Sequence, residues 1–448
     1  MTLAWYSTAH HVAECECLDC ATSLQALRCD RFATTLRPMS IDDAIAVSDL
    51  PTDPSVVRRD RLLGALFAVD PDMSLLQHRP EFSLLVSPSA PPQIFLLPTR
   101  DRDAQKRLPE IVAEIVRVAS TGNIPTHVVA IGGGPAVVQA LLSGSRGAAN
   151  VRFGFHHVDD ASRFAHVAGD KLDVLEAAAS RIKHSEAPSP ERLREALVRG
   201  RALVERDQQA ISKLRGQTPV TFALIAACGA VALFAVVAAR SSEYAKVIMM
   251  MGATNGPLVR AGEVWRLFAS TFLHWSVMHI IMNMLALFHL GMLLEPILGA
   301  RRFFILYGLS GLGGSLVTTY LSDNKMSAGA SGAIWGLMTA VLAIVVFPRG
   351  LLPPLLLARL KSSAWRPLVL NVILSFLPGI DMLAHFGGGF FGFVVMILFV
   401  GEGLVPMDQR APGVSIETAP RPWLTLIAVV IALAMVASIG MGMMAVKG

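Results

Sequence analysis

The sequence predicts an all-α polytopic membrane protein carrying an N-terminal cytoplasmic α/β domain. Three observations lead there. Of 448 residues, 53% are hydrophobic and only 16% charged, with a mean hydropathy of +0.52. The long apolar runs fall almost entirely after about residue 218. Before residue 200, short apolar strand-like runs alternate with helical patterns, the signature of α/β folding, over a length sufficient for a domain with its own core.

The N-terminal half comes first. Its opening residues lack the basic n-region and apolar h-region of a secretory signal, so this half is expected to stay in the cytoplasm. Four of the five cysteines, Cys15, Cys17, Cys20 and Cys29, crowd the first 30 residues. In a reducing compartment they are free thiols or, with His10 and His11 beside them, weak zinc candidates without paired CxxC knuckles. Residues 93–97 and 127–131 read as buried strands, and 103–119 and 135–142 as helices. Gly132-Gly133-Gly134 matches neither GxGxxG nor a P-loop and reads as a tight turn. The expected domain is 1–184, followed over 185–218 by a linker and an amphipathic helix at 191–214.

Seven spans follow, at about 219–239, 277–298, 303–321, 329–347, 364–379, 385–401 and 424–445. The fifth and sixth are short against the roughly 20 apolar residues a bilayer requires. Lys213 and Arg215 precede the first span, Arg301 and Arg302 fill the turn between the second and third, and Arg349, Arg359, Lys361 and Arg366 lie between the fourth and fifth. The positive-inside rule puts these in the cytoplasm. Arg240, Lys246, Arg260 and Arg266 of the first loop dissent and are outvoted. A net charge of +5 is ordinary for such a protein and implies no nucleic-acid partner.

This topology runs spans two, four and six from outside to inside. His279, Ser331 and His385 each fall in the first few residues of one of them, at one shallow depth. Ser331 stands in Gly329-Ala330-Ser331-Gly332, where a helix N-terminus offers free amides and a positive dipole end to a developing oxyanion. Taken alone, such a serine also fits simple helix packing. His385 precedes Gly388 and Gly392 at i+3 and i+7, a small face that allows close approach to span four. It is a candidate base, or a buried histidine satisfied by a carbonyl. Trp335, four residues after Ser331, is placed to stack on the imidazole; Asp381 is a weak alternative acid, expected in a loop. His279 and Asn283 share a face as oxyanion donors or as interhelical hydrogen-bonding groups. A metal held by His274, His279 and His385 lacks an HExxH or a carboxylate pair.

At these residues the sequence resembles the rhomboid intramembrane serine proteases over roughly 219–401. The likeness takes in Gly262-Glu263-Val264-Trp265-Arg266-Leu267, His274, His279 with Asn283, Glu295, Gly299, Arg302-Phe303, the Gly329–Gly332 motif, and Ala384-His385 with Gly388 and Gly392. The resemblance implies a six-helix protease domain (219–401), then a cytoplasmic loop and a seventh helix (402–448). It implies Ser331 as nucleophile and His385 as base of a dyad, with His279, Asn283 and the Ser331 amide as oxyanion hole and Trp335, Gly329 and Gly332 in support. Trp265 and Arg266 would belong to a loop lying partly in the outer leaflet. Trp335 stands where family members often have tyrosine, so stacking survives and a hydroxyl contact is lost. The expected substrates are transmembrane proteins in the lipid bilayer, with no cofactor. The expected location is a bacterial inner (plasma) membrane. The rival class is a non-proteolytic rhomboid-like scaffold or chaperone, whose members lose the serine or the histidine.

Overall fold

The computed structural model describes residues 53–79, 82–87, 93–98, 126–131, 153–159, 161–214, 216–239, 243–322, 326–410 and 415–447. Cys15, Cys17, Cys20 and Cys29, the helices expected at 103–119 and 135–142, and the glycine turn at 132–134 lie outside the described residues. The chain divides into two compact units, Met1–Ile211 with Pro354–Ser363, and Ser212–Pro353 with Ala364–Gly448.

The first unit begins with α1 (Pro54–Val69). Proline in the first turn and the Asp53 carboxylate, which accepts from the Ser55 amide at 2.7 Å, start this helix. Six strands follow: β1 (Ser74–His78), β2 (Phe82–Ser87), β3 (Gln93–Pro98), β4 (Thr126–Ile131), β5 (Phe153–Val158) and β6 (Phe164–Gly169). They form one sheet in sequence order, with β3–β4 and β4–β5 parallel and the other pairs antiparallel. β3 and β4 are the strands legible as apolar runs. β5 and β6 are not, because glycine, alanine and three histidines dilute their pattern. Helices α2 (Asp173–Arg181) and α3 (Pro190–Leu214) follow the sheet. Leu62, Leu63 and Leu66 of α1 pack with Leu75, Leu85, Phe95 and Val129 of the sheet and with Leu193 and Leu197 of α3.

The second unit is helical. Its long helices are α4 (Pro219–Ala238), α5 (Val277–Leu298), α6 (Ala300–Leu321) and α7 (Ser331–Val346). α8 (Pro354–Ser375), of which only the part from Ala364 belongs to this unit, α9 (Met382–Val395) and α10 (Pro422–Lys447) follow. Among the described residues five helices are long and apolar enough to cross a membrane: those ending at Ala238, Leu298, Leu321, Val400 and Val446. α7 is apolar but shorter. The fifth expected span is corrected. α8 begins at Pro354 rather than near 364, so Arg359, Lys361 and Arg366 are helical rather than loop residues. Pro354 in its first turn is the start signal that an apolar window passes over. α9 likewise begins at Met382, and Asp381, outside the helix as expected, caps it.

The outer faces are apolar. Along α5, Val277, Met278, Ile281, Met282 and Leu285 are exposed while Asn283, Leu287, Gly291 and Leu294 are buried. A helix dressed outward in hydrocarbon is suited to lipid. Buried charges tie helix ends together. Glu295 of α5 accepts from the Val220 and Thr221 amides at 2.9 and 2.8 Å and from the Thr221 hydroxyl at 2.6 Å, capping α4. Arg302 of α6 donates to the Val400 and Glu402 carbonyls at 2.6 and 2.7 Å, where a π-helical turn, Met396–Val400, ends the α9 segment. Glu417 pairs with both Arg301 and Arg302.

Candidate active site

Ser331 is the first residue of α7. Its cap, Ala330, offers no side-chain bond, so the first amides of α7 keep no intrahelical acceptor. Ahead of it, the Gly329 amide donates to the Ser270 carbonyl at 2.9 Å. Gly329 has φ +153°, and a Cβ there would lie 2.8–2.9 Å from the His279 ring and 3.6 Å from Asn283 Nδ2. Only glycine lets the chain pass so close to α5. The loop that delivers Ser331 therefore lies directly against both expected oxyanion donors.

His385 is the fourth residue of α9. α9 approaches α7 to backbone contact: a Cβ on Gly388 would stand 2.1 Å from the Gly332 carbonyl oxygen, and one on Gly392 would stand 2.3 Å from Gly336 Cα. Gly332 in turn faces the Ala384 carbonyl. The helices thus meet one residue beyond Ser331 and one before His385. Thr339 of α7 clamps the pair by donating to the Gly389 carbonyl at 2.6 Å. Trp335, 4% exposed, stacks on His385 with ring centroids 5.6 Å apart at 27°. Asp381 accepts from the Ala384 amide at 3.2 Å and from the Thr318 hydroxyl of α6 at 2.8 Å, fixing the start of the His385 helix.

His279 and Asn283 lie on α5, whose start is capped by Ser276 through a 3.2 Å bond from the His279 amide. His279 is half-buried. Asn283 is 8% exposed, and its Nδ2 is buried without a hydrogen-bond acceptor among the described residues. His274 packs edge-on against His279 at 5.1 Å, and Tyr244 donates to its carbonyl at 2.8 Å. In the first loop Arg266 pairs with Glu263 at 2.7 Å, donates to the Met249 and Ala253 carbonyls, and lies over the Trp265 ring. Among the described residues no three His, Cys, Asp or Glu side chains converge as a metal would need.

Sequence reasoning missed three positioning groups. Ser276, and the capping role of Asp381, which was expected only as an alternative acid, were findable, since each is a capping residue type directly ahead of an apolar helix. Ser375, at the end of α8, was not: its Oγ lies 2.7 Å from His385 Nδ1 through a tertiary contact that no local pattern announces.

Part of the chain is similar to known proteins. Residues 261–402 match the family model described as "Rhomboid domain". The chain is 40% identical over 172 residues to RHOMBOID-like protein 5 of Arabidopsis thaliana, covering 36% of this chain and 54% of that one. It is 31% identical over 153 residues to Rhomboid protease GluP of Bacillus subtilis, covering 34% and 29%. It is also 27% identical over 157 residues to Rhomboid-like protease 3 of Toxoplasma gondii, covering 35% and 60%. The chain spans about half the length of the curated relatives it matches. Several are plant proteins, one mitochondrial by name. A bacterial inner membrane, expected above, draws no support from these.

Proposed function

We infer that this chain, a multi-pass membrane protein that belongs to the rhomboid family through its domain at 261–402, is an intramembrane serine endopeptidase. The observation that carries the reading is the glycine contact of α7 with α9, which holds Ser331 and His385 at the touching ends of two helices with Trp335 stacked on the histidine. The proposed substrates are transmembrane proteins cleaved in or beside a membrane helix. The proposed layout is six helices over 219–401 plus a seventh in 402–448, with the domain of 1–184 and its 185–218 linker in the cytoplasm.

In this reading His385 takes the Ser331 hydroxyl proton as Oγ attacks the scissile carbonyl. Negative charge moves to the carbonyl oxygen, where the Ser331 amide, Asn283 and His279 donate to it. His385 then gives its proton to the departing amine, leaving an acyl-enzyme on Ser331. Water, deprotonated by the same base, hydrolyses that ester and restores the serine. Gly329 and Gly332 serve by letting backbone and donors approach. No cofactor enters any step.

The test is cleavage of a transmembrane reporter by purified full-length protein in detergent. Ser331→Ala and His385→Ala should each abolish it with folding intact, and the double variant should be scarcely worse, because the pair acts as a unit. Substantial cleavage by Ser331→Ala would sink the mechanism. A wild-type chain without activity would return the protein to the non-proteolytic class.

A further inference from the structure

Ser375 lies outside every motif used above. Of residues 371–380, all described, it alone is buried, at 1% exposure, while Ile373, Phe376 and Leu377 beside it face outward. Its Oγ makes two contacts of 2.7 Å, one to the Asn371 carbonyl one turn back and one to His385 Nδ1. A hydroxyl has one proton. A carbonyl can only accept, so the Ser375 proton goes to Asn371. For the second contact to be a hydrogen bond, Nδ1 must be the donor and Oγ the acceptor. His385 then carries its proton on Nδ1, and Nε2 is the unprotonated, basic nitrogen.

We propose that Ser375 is a positioning residue that sets the His385 tautomer through a relay from imidazole to hydroxyl to main-chain carbonyl. The proposal rests on His385 being the base of the reading above. It gives the dyad what an aspartate gives elsewhere, an acceptor on the far side of the ring, without placing a carboxylate in the bundle. Trp335 fixes the plane of the ring and Ser375 fixes its rotation and proton. As Nε2 gains a proton during attack, the Nδ1–H bond strengthens, so the contribution belongs to turnover rather than to substrate binding.

The experiment compares Ser375→Ala, Ser375→Val and Ser375→Thr in the full chain in detergent, with thermal unfolding measured beside kcat and KM. Threonine and valine have one shape and differ in the hydroxyl. Ala and Val should each lose about three- to ten-fold in kcat with KM unchanged, the worth of one neutral hydrogen bond. Thr should stay within about two-fold of wild type on the same scale. Equal kcat in the Thr and Val variants, or a loss confined to KM, overturns the relay. If Ser375→Ala proves too unstable to assay, the Thr and Val pair decides. Ser331→Ala in the same assay separates the two readings: residual cleavage there fails the dyad itself, whereas an inactive Ser331→Ala beside a fully active Ser375→Val fails only the relay.

Discussion

Asn283 keeps a buried amide donor without an acceptor among the described residues, an arrangement that costs about 1–3 kcal/mol in a folded protein. Such a cost is retained where the donor has work to do at another moment. Asn283→Ala should therefore lower kcat by roughly 10–1,000-fold while leaving KM little changed, the effect of losing one oxyanion donor. The same variant should unfold no earlier than wild type, since it removes an unpaired polar group; a lower melting temperature would assign Asn283 to packing. Trp335 allows a second test. If stacking orients His385, Trp335→Phe and Trp335→Tyr should keep most activity and Trp335→Leu should lose it; a leucine variant equal to phenylalanine would return Trp335 to space filling. The histidines, the serine and this ring were legible because polar or flat groups at fixed helical intervals stand out in an apolar run. Ser375 was not, because a serine ending a helix satisfied by its own i−4 carbonyl looks the same with or without a second partner.

At the scale of elements, the bundle is held where backbones touch. A methyl group on Gly388 would have to displace the Gly332 carbonyl, which sits inside the first turn of α7 and cannot yield without moving Ser331. Gly388→Ala should abolish cleavage and lower the unfolding temperature. Gly440→Ala, in the open on α10, should do neither. Equal behaviour of the two would show that the contact carries no strain. Spans one to three and seven were legible because their apolar windows are long and unbroken, and the fourth because its window, though shorter, is apolar. α8 was mislocated since its first half carries Arg359 and Lys361, whose charge masks helical continuity. In the N-terminal unit β3, β4 and the amphipathic helix expected at 191–214, which is α3, were legible. β1 is short, and β5 and β6 gain their stability from neighbouring strands rather than from their own composition.

At the scale of the molecule, the two units should answer acid differently. In the first, burial, reinforced by the Arg59 charge, pushes His78 down to about 3. His156 is pushed to about 3 by burial first and then by His127 and His166 on either side. Both histidines fold as neutral groups, while in the unfolded chain they titrate near 6.5. Stability is thus full above that pH and falls as pH drops from 6.5 toward 3, by about 2 kcal/mol per histidine at pH 5. Hydrogen exchange on the whole chain should show residues 53–79 and 161–184 losing protection between pH 7.5 and 5 before residues 277–298 do; uniform loss would refute this. A different consequence lies in the length of α7. Its 16 residues rise about 24 Å, against about 33 Å for the 22-residue helices α5 and α6 that flank it. A helix about 9 Å shorter than these neighbours does not need to span the full hydrocarbon layer, and hydrolysis consumes water as its second reactant, so Ser331 is expected to be within reach of water. In a chain cleared of its five native cysteines, Ser331→Cys should react with a charged, membrane-impermeant maleimide added from one side only, while Ala340→Cys on the same helix stays dry and unlabelled.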